Sequence, residues 1–545
     1  MKLNILRYII VIIALSFYAC DDFLDQKPNG QFSDEQLNES SIEGLMAAAY
    51  SGLEAHFFGN NESFTAPVSN WVFDVRSDDA YKGGEGLTME ASITQLELAN
   101  ITSDNPTNLN KWRNSYYGIS RVHKAMKAIK KINPANENEL FGELRLIRGY
   151  YYFELIRTFE RIPYLTEESD PSSTSSTEFT RDEIFSKIKE DFVFAYNNLP
   201  PSQSQAGRFN RYAAAAYMAK ACIETKDWST AITYADYVIG SGKYKLYDNY
   251  LDMSKIEFNN QAESVFAVQF STANNNAHIN WGNLLNTTRS EGELFGSGDD
   301  FFLASQNLVN AFRTDDNGLP YHDDFNSKNV TSGYTEHIDP RLDFTVGRIG
   351  MPFRGYTYTR GWCRDYDTYG EYSGKKGLIS PDSPDMVQGF PWGASALNYI
   401  VIRYAEVLLW KAEALIELNQ NLDDARSLIN QVRDKAKRSI DTNYQPKDID
   451  PVKANYKIEP YPATGWTQTY ARKALRMERR LELAMEGHRW FDLVRWGIAE
   501  ATINKFYQEE SSLRPYYNGA TLTSNEIYLP IPKDEVANGG GLYGE

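Results

Sequence analysis

Histidine and cysteine are both scarce in this chain of 545 residues. The six histidines lie at positions 56, 123, 278, 322, 337 and 488, and no two of them have the spacing of a helical ligand pair. Since zinc sites in proteins are built largely from histidine and cysteine, this spacing argues against a histidine-based zinc site. The three cysteines are too few for a disulfide framework. Cys222 lies in an Ala-rich apolar stretch and is predicted to be a small buried residue.

Basic residues are also fewer than acidic residues. The chain has 56 Lys and Arg against 73 Asp and Glu, which gives a formal net charge of −17. An acidic surface repels phosphate backbones, so nucleic acid is not an expected partner. Hydrophobic residues make up 42% of the chain and charged residues 24%, which indicates a globular protein rather than a disordered one.

The chain opens on its one marked apolar run, within "MKLNILRYIIVIIALSFYAC". Lys2 and Arg7 form a positively charged segment, and residues 9 to 19 form an apolar one. That apolar run is shorter than the roughly 20 residues that a membrane-spanning helix needs. Residues 1–19 are therefore predicted to be a secretory signal peptide, and no transmembrane helix is expected in the mature protein.

The end of this segment resembles a bacterial lipoprotein cleavage site. In such sites the thiol of the cysteine, here Cys20, takes a diacylglycerol and the freed amine is acylated. Several acyl chains anchor a protein stably where one would not. The pair Asp21-Asp22 follows at once and resembles the signal that exports Bacteroidetes lipoproteins to the cell surface. We expect a lipid anchor at Cys20 in the outer membrane, with the protein exposed at the surface.

Helical periodicity dominates the rest of the chain and predicts an all-α fold. Residues 109–132 and 137–159 have apolar side chains at helical spacing, and Thr180 with Glu183 forms a capping box. Residues 210–244 and 403–438 each read as a helical hairpin with alanines at the contact. Such hairpins look like tetratricopeptide repeats. Because they are scattered along the chain, we expect a degenerate and interrupted array.

Two blocks of the sequence lack this helical periodicity. Residues 67–86 and 270–398 are rich in Gly, Asn, Asp and aromatic residues and contain no long periodic run. Aromatic residues are 14% of the whole chain, more than a core requires, so some rings are expected to face solvent or ligand. We interpret these blocks as long loops that form a functional insertion on a helical scaffold.

The stretch "MERRLELAMEGHRWFDLVRWG", residues 477–497, most resembles an active site. Glu478, Glu482 and Glu486 are one helical turn apart and His488 follows, so metal binding or acid–base catalysis is one interpretation. The favoured one is an ionic seam between packed helices, because arginines at 476, 479, 480 and 489 are near in sequence.

Exposed aromatic rings framed by side chains that can pair with hydroxyl groups are typical of a site for a polyhydroxylated ligand. The first loop block supplies a set of such residues in one segment: Asn70, Trp71, Arg76, Asp78, Asp79 and Tyr81. Other interpretations stay open for two of its features. The alternation of Trp71, Phe73 and Val75 also fits a short strand with a buried face, and the two aspartates could cap a turn.

In the second block Trp281, Trp362 and Trp392 each stand beside Gly or Asn, and we favour Trp281 and Trp362 as exposed platforms. Arg364 belongs to a segment dense in arginine and tyrosine, as a glycan cleft would be, although a wet protein–protein interface has the same composition. No cofactor is expected. The pairs Asp299-Asp300 and Asp323-Asp324 could help to bind structural Ca²⁺, but solvated loop charge is the favoured interpretation.

Eight motifs in order resemble the SusD/RagB family of Bacteroidetes outer-membrane lipoproteins. They are "ACDDFLDQKPNGQFS", "ELRLIRGYYYFELIRTFERIPY", "GRFNRYAAAAYMAKACIETKDWSTAITYADYVI", "DPRLDFTV", "IRYAEVLLWKAEAL", "INQVRDKA", "ERRLELAMEGHRWFDLVRWG" and "IYLPIPKDEV". The resemblance implies one SusD-like domain over residues 20–545. Its N-terminal portion would span about 20–245 and its C-terminal SusD/RagB portion about 265–545, with the loop insertion at 270–398.

The resemblance also implies a function. Family members capture oligosaccharides at the cell surface and pass them, without chemistry, to a TonB-dependent transporter of the SusC type. Three alternatives remain. RagB-like relatives handle peptides; a surface glycoside hydrolase would need a pair of carboxylates across a cleft; and a pure repeat scaffold would bind only proteins.

Overall fold

The computed structural model describes residues 37–54, 71–276, 278–289, 294–440 and 447–543. The predicted signal peptide and Cys20 lie outside these residues. The helices are α1 Ile42–Ser51, α2 Ala91–Glu97, α3 Pro106–Ile132, α4 Glu137–Thr158, α5 Arg181–Asn198, α6 Arg211–Glu224, α7 Trp228–Gly240, α8 Ala273–Asn276, α9 Gln306–Ala311, α10 Arg341–Thr345, α11 Tyr366–Tyr369, α12 Tyr404–Glu417, α13 Leu422–Arg438, α14 Gln468–Leu483, α15 Arg489–Arg495, α16 Ala499–Glu510 and α17 Lys533–Asn538. None of them is long and apolar enough to cross a membrane.

The strands are short and form four pairs. They are β1 Ala80–Gly83, β2 Ser264–Val268, β3 Phe301–Ala304, β4 His337–Ile338, β5 Pro352–Phe353, β6 Tyr356–Thr357, β7 Tyr399–Arg403 and β8 Asn455–Tyr456. β1 pairs with β3, β2 with β7 and β5 with β6, all antiparallel, and β4 pairs with β8 in parallel. The prediction of an all-α scaffold with loops is confirmed by this inventory.

Local sequence signals set the helix ends. The side chain of Asn105 accepts a hydrogen bond from the Asn108 N–H at the start of α3, and proline occupies the first helical position. The predicted capping box of Thr180 and Glu183 is present at the start of α5. α4 is buried along nearly its whole length, because neighbouring helices cover it on several sides.

Helices α3 to α7 pack each on the next, and the stack continues into α12 and α13. The two predicted hairpins, α6–α7 and α12–α13, are thus neighbours in space, because α12 packs directly on α7. The array is interrupted in sequence, as predicted, and the packing shows that it is continuous in space. Alanines make the close approach possible, and those at 219, 231, 235, 412, 414 and 425 have no exposed surface.

The loop block leaves the scaffold and returns to it at a single place. β2 ends at Val268, β7 begins at Tyr399, and these two residues face each other in the antiparallel ladder. The 130 or so residues between them therefore form an insertion whose two ends are hydrogen-bonded to each other. The first loop block joins this insertion through β1, which pairs with β3.

The stretch at 477–497 lies in the interior. Glu478 and Glu482 have no exposed surface, and Glu486 is largely buried. With two more acids and five cations they form a connected set that we call the buried ionic network: Glu263, Asp339, Glu478, Glu482, Glu486, Arg341, Lys376, Arg403, Arg433 and Lys435. The preferred interpretation of a structural ionic seam agrees with this arrangement.

The partners of these acids differ from the prediction. Three of the four expected arginines pair elsewhere: Arg479 with Asp492, Arg480 with Asp79, and Arg489 with Asp78. Glu478, for example, is bound by Arg341 at 2.6 Å and Arg433 at 2.9 Å, both distant in sequence. The partners of Glu478 and Glu482 come from α10, α13 and the end of β7 instead.

Candidate functional site: an aromatic platform on the loop insertion

Two segments of the insertion meet at the surface, residues 278–283 and 385–396. Ile279 packs against Val387 and Ala394 in a small buried cluster, and Trp281 lies against that cluster. The Asn280 N–H donates to the carbonyl oxygen of Ser395 at 2.9 Å, which joins the two segments. The Asn280 side chain also accepts from the Gly282 N–H at 2.9 Å and begins the 3-10 turn Trp281–Asn283. Trp281 is therefore presented by a capped turn on a hydrogen-bonded base.

The second segment is a narrow loop with Phe390 and Pro391 near its tip. The Val387 N–H donates to the Ala394 carbonyl at 2.8 Å and the Ala396 N–H to that of Asp385 at 3.0 Å, which closes the loop. Gly393 has φ +70°, and a Cβ there would lie 2.1 Å from Oγ1 of Thr287. Only glycine fits that close approach without strain.

Three aromatic rings converge at this loop, and we call Trp281, Phe390 and Trp392 the aromatic platform. Phe390 is 57% exposed, while both tryptophans are partly buried. The Phe390 ring centroid lies 6.2 Å from that of Trp281 and 6.3 Å from that of Trp392, with interplanar angles of 66° and 89°. Gly296 makes room for the Trp392 indole, because a Cβ at that position would lie 2.0 Å from the ring. The result is an apolar, edge-to-face surface that a sugar ring can contact.

The chain segment that carries Trp281 also reaches a cleft of about 320 Å³. Its walls are α1, the loop at 205–208, strand β2 and His278, which is close in sequence to Trp281. Nδ1 of His278 lies 3.5 Å from Oε2 of Glu54. Arg208 donates to both carboxylate oxygens of Glu143, at 2.7 and 2.9 Å, so this guanidinium is fixed in the wall. The lining of the cleft is mostly apolar with a few fixed polar groups, a combination that is typical of a ligand site.

The two tryptophans predicted as exposed platforms in the insertion differ in their exposure. Trp281 is at the surface, but Trp362 is only 3% exposed and packs at 5.4 to 6.0 Å against Phe295, Phe353 and Tyr358. The prediction that Trp362 is an exposed platform was wrong, because neighbouring loops cover the ring. A glycine beside a tryptophan indicates a loop, and it does not indicate which side of the loop faces solvent.

Arg364 is part of a local ionic arrangement rather than an open contact. Its guanidinium contacts the carboxylate of Asp299 and lies 3.5 Å from Glu85, and its backbone N–H donates to Oδ2 of Asp300 at 3.0 Å. Asp300 also accepts from the Ser373 hydroxyl at 2.6 Å, and burial raises the pKa of its carboxyl to about 6. A partly exposed edge of Arg364 remains, so it stays a candidate contact.

The calcium alternative has no support in this geometry. Asp299 is held by Arg364, and the carboxylate of Asp323 accepts from Lys473 at 2.6 and 2.8 Å. Among the described residues, no three His, Cys, Asp or Glu side chains are grouped so that they could hold a metal ion.

The predicted residues of the first loop block lie in the interior. Arg76, Asp78, Asp79 and Tyr81 are each at most 3% exposed. Asp78 binds Arg489 at 2.8 and 2.9 Å, and Tyr81 donates to Glu510 at 2.6 Å. The prediction that Arg76, Asp79 and Tyr81 face a ligand was wrong, since they are used to attach the block to α14, α15 and α16. Asp78 lines a cleft between α14 and α16, but Arg480 and Arg489 engage its carboxylate. Asn70 and the side chain of Trp71 lie outside the described part.

We did not predict from the sequence that Phe390 is an exposed platform residue, and Trp392 was not among the two favoured platforms. The signal was present in "GFPWGAS", where two aromatic residues flank a proline between glycines. Such a composition is typical of a tight exposed loop.

Two family models match this chain. Residues 262–544 match the model of the SusD family, which is more than half of the chain, and residues 22–223 match a second model described as "Starch-binding associating with outer membrane". The chain belongs to the SusD family.

Its SusD-family relatives are distant in sequence but match over the full length. SusD-like protein P2 of Formosa agariphila is 24% identical over 557 residues, covering 98% of this chain and 97% of that protein. A SusD-like protein of Bacteroides ovatus is 24% identical over 591 residues, with 97% and 95% covered. Surface glycan-binding protein A of Bacteroides thetaiotaomicron, solved in complex with laminarihexaose, has a TM-score of 0.69 at 19% identity, with 93% and 98% covered. This likeness establishes the SusD fold.

Proposed function

We propose that this chain is a surface lipoprotein that binds oligosaccharides on the aromatic platform and delivers them to a SusC-like TonB-dependent transporter. The anchor in this proposal is Cys20, and the location is the outer face of the outer membrane. The observation that carries the proposal is Phe390, exposed between two partly buried tryptophans on a loop pair that hydrogen bonds hold in place.

Two kinds of evidence support a saccharide ligand. An exposed aromatic cluster loses water from its faces when the C–H face of a sugar covers it, which favours binding. The relative from Bacteroides thetaiotaomicron carries "glycan-binding" in its name and was solved in complex with laminarihexaose. The RagB-like alternative, a peptide ligand, would use the same apolar ledge and differs in the ligand alone.

Binding without catalysis is part of the proposal. The three platform side chains carry no group that could act as acid, base or nucleophile, and a glycoside hydrolase needs two carboxylates across the scissile bond. Incubation with polysaccharides that bind should release no new reducing ends. Release that a single Asp or Glu substitution abolishes would replace the binding role by a hydrolase.

The site is tested by a glycan and peptide array, followed by calorimetry of the best ligand with Trp281→Ala and Phe390→Ala variants. We expect each variant to weaken binding about tenfold, since a lost aromatic contact costs on the order of 1 to 2 kcal/mol. Tyr237→Ala is the matched control, because Tyr237 is an aromatic residue of α7 that is 42% exposed and far from both platform loops in sequence. Unchanged affinity in both platform variants would refute the site, and binding of peptides alone would favour the RagB-like role.

A further inference from the structure

A second cleft, of about 440 Å³, lies between α14 and α16 and shares no lining residue with the aromatic platform or the cleft of about 320 Å³. α14 lines it with Lys473, Arg476 and Met477, and α16 lines it with Thr502 and Lys505. These positions recur every three or four residues, so each helix turns one continuous face toward the cleft. The loop at 322–325 closes one side.

The cationic side chains of α14 differ in how they are partnered. Four of the five are bound to carboxylates: Arg472 to Glu417 at 2.7 Å, Lys473 to Asp323 at 2.6 Å, Arg479 to Asp492 at 2.8 Å and Arg480 to Asp79 at 2.8 Å. Arg476, the remaining one, makes no hydrogen bond or ion pair with any described residue. Glu413 and Glu417 act on its charge from a distance, but no described carboxylate binds the half-buried guanidinium directly, which leaves its fork open to an anionic ligand.

Arg476 is held in place by packing rather than by an acid. Its guanidinium carbon lies 4.9 Å from the ring centroid of Trp496. The acid nearest to that indole is already used, because Glu413 accepts from the Trp496 Nε1–H at 2.9 Å and is paired with Arg495. The Arg476 fork is therefore positioned by its contact with the indole, while its donors meet no acceptor in the part of the chain that the structure describes.

The surroundings of Arg476 favour an anion. Lys505 is an exposed cation whose amino group lies 3.6 Å from Glu509, a loose pair that a ligand can share. The acids that line the cleft are each engaged by cations, Asp78 by Arg480 and Arg489 and Asp323 by Lys473. In a chain with a net charge of −17, this is a local concentration of positive charge.

We propose that this cleft binds the oxyanion of an acidic saccharide, a carboxylate or a sulfate ester, with Arg476 as the main contact and Lys473 and Lys505 beside it. The planar guanidinium donates two parallel hydrogen bonds to such a group, and the flanking ammonium groups add charge without fixing orientation. The ligand class deepens the proposed saccharide-binding function, but the site is separate from the platform and either can fail alone.

The test is calorimetry at low ionic strength with three probes: trigalacturonate, sodium sulfate and uncharged maltotriose. Arg476→Gln is expected to weaken binding of the anionic probes by about tenfold or more, since it removes a charge-assisted pair. Arg472→Gln is the matched control, because Arg472 is one turn away on α14, is paired with Glu417 and does not line the cleft. Arg476→Lys keeps the charge but not the fork and should retain part of the affinity.

Anion binding that Arg476→Gln weakens and Arg472→Gln does not supports the site. The proposal is overturned if neither anion binds the wild-type protein, or if Arg476→Gln binds the anions as tightly as the wild type does. Trp281→Ala should leave sulfate binding unchanged. Binding of a neutral glycan that only Trp281→Ala weakens concerns the platform and not this cleft. The two proposals can therefore fail separately.

Discussion

Replacing Glu482 by glutamine removes one negative charge from the buried ionic network, in which five acids face five cations. The carboxylate of Glu482 lies 2.7 Å from Lys435, 2.8 Å from Arg403 and 3.3 Å from Arg341, and none of its surface is exposed. Burial alone would raise the pKa of Glu482, but these three cations outweigh it and hold the pKa well below its usual range. The substitution therefore leaves one buried cation uncompensated at neutral pH.

The expected cost is about 3 to 5 kcal/mol of the free energy of unfolding, the range for breaking one side of a buried ion pair. Glu417→Gln is the matched control: Glu417 pairs with Arg472 at 2.7 Å, but both side chains are partly exposed. That pair should contribute about 1 kcal/mol or less. Chemical unfolding of the mature protein, followed by circular dichroism at pH 7, measures both changes.

The lowered pKa of Glu482 determines how its stabilisation of the fold changes with pH. The stabilisation from ionised Glu482 is present above the pKa of an unfolded glutamate and is lost as pH falls through the lower pKa of the folded state. The difference between wild type and Glu482→Gln should therefore be full at pH 7 and shrink in acid. A cost below about 1 kcal/mol at pH 7, or one equal to that of Glu417→Gln, would contradict the assigned role of the network.

Two further predictions concern stability. Burial raises the pKa of Glu97 to about 7, so the stability that its protonated form supports is lost as pH rises from about 4.5 through 7. Glu97→Gln should reduce the change in unfolding free energy between pH 5 and pH 8, measured in urea, by up to about 3 kcal/mol. The same change with pH in the wild type and the variant would contradict this prediction. Gly118→Ala would place a Cβ 2.2 Å from the ring of Tyr151, so we expect a loss of about 1 to 3 kcal/mol in thermal unfolding, whereas Gly44→Ala meets no atom within 4 Å and should be neutral or stabilising.

Much of the scaffold could be predicted from the sequence because its signals are local. The capping box at Thr180, the apolar stripe of α4 and the alanines of the two hairpins depend on residues within one or two turns. The packing of α12 on α7 could not be predicted in this way, since nothing local records which hairpin faces which.

The candidate site was predicted only in part, for the same physical reason. Trp281 and Trp362 have similar sequence surroundings, and the covering by Phe295 and Phe353 that buries Trp362 comes from other segments. Phe390 joins Trp281 because a hydrogen bond between Asn280 and Ser395 and the packing of Ile279 on the second loop bring two distant segments together. Likewise Asp78 and Asp79 resemble ligand contacts until Arg480 and Arg489 are placed against them.

The measurement that tests the central claim most directly is calorimetry of the best array ligand against wild type, Phe390→Ala, Trp281→Ala and Tyr237→Ala. Binding of an oligosaccharide that both platform variants weaken about tenfold, and that Tyr237→Ala leaves unchanged, is the predicted result. An oligosaccharide that binds all four proteins equally would show that the ligand lies elsewhere and contradict the account.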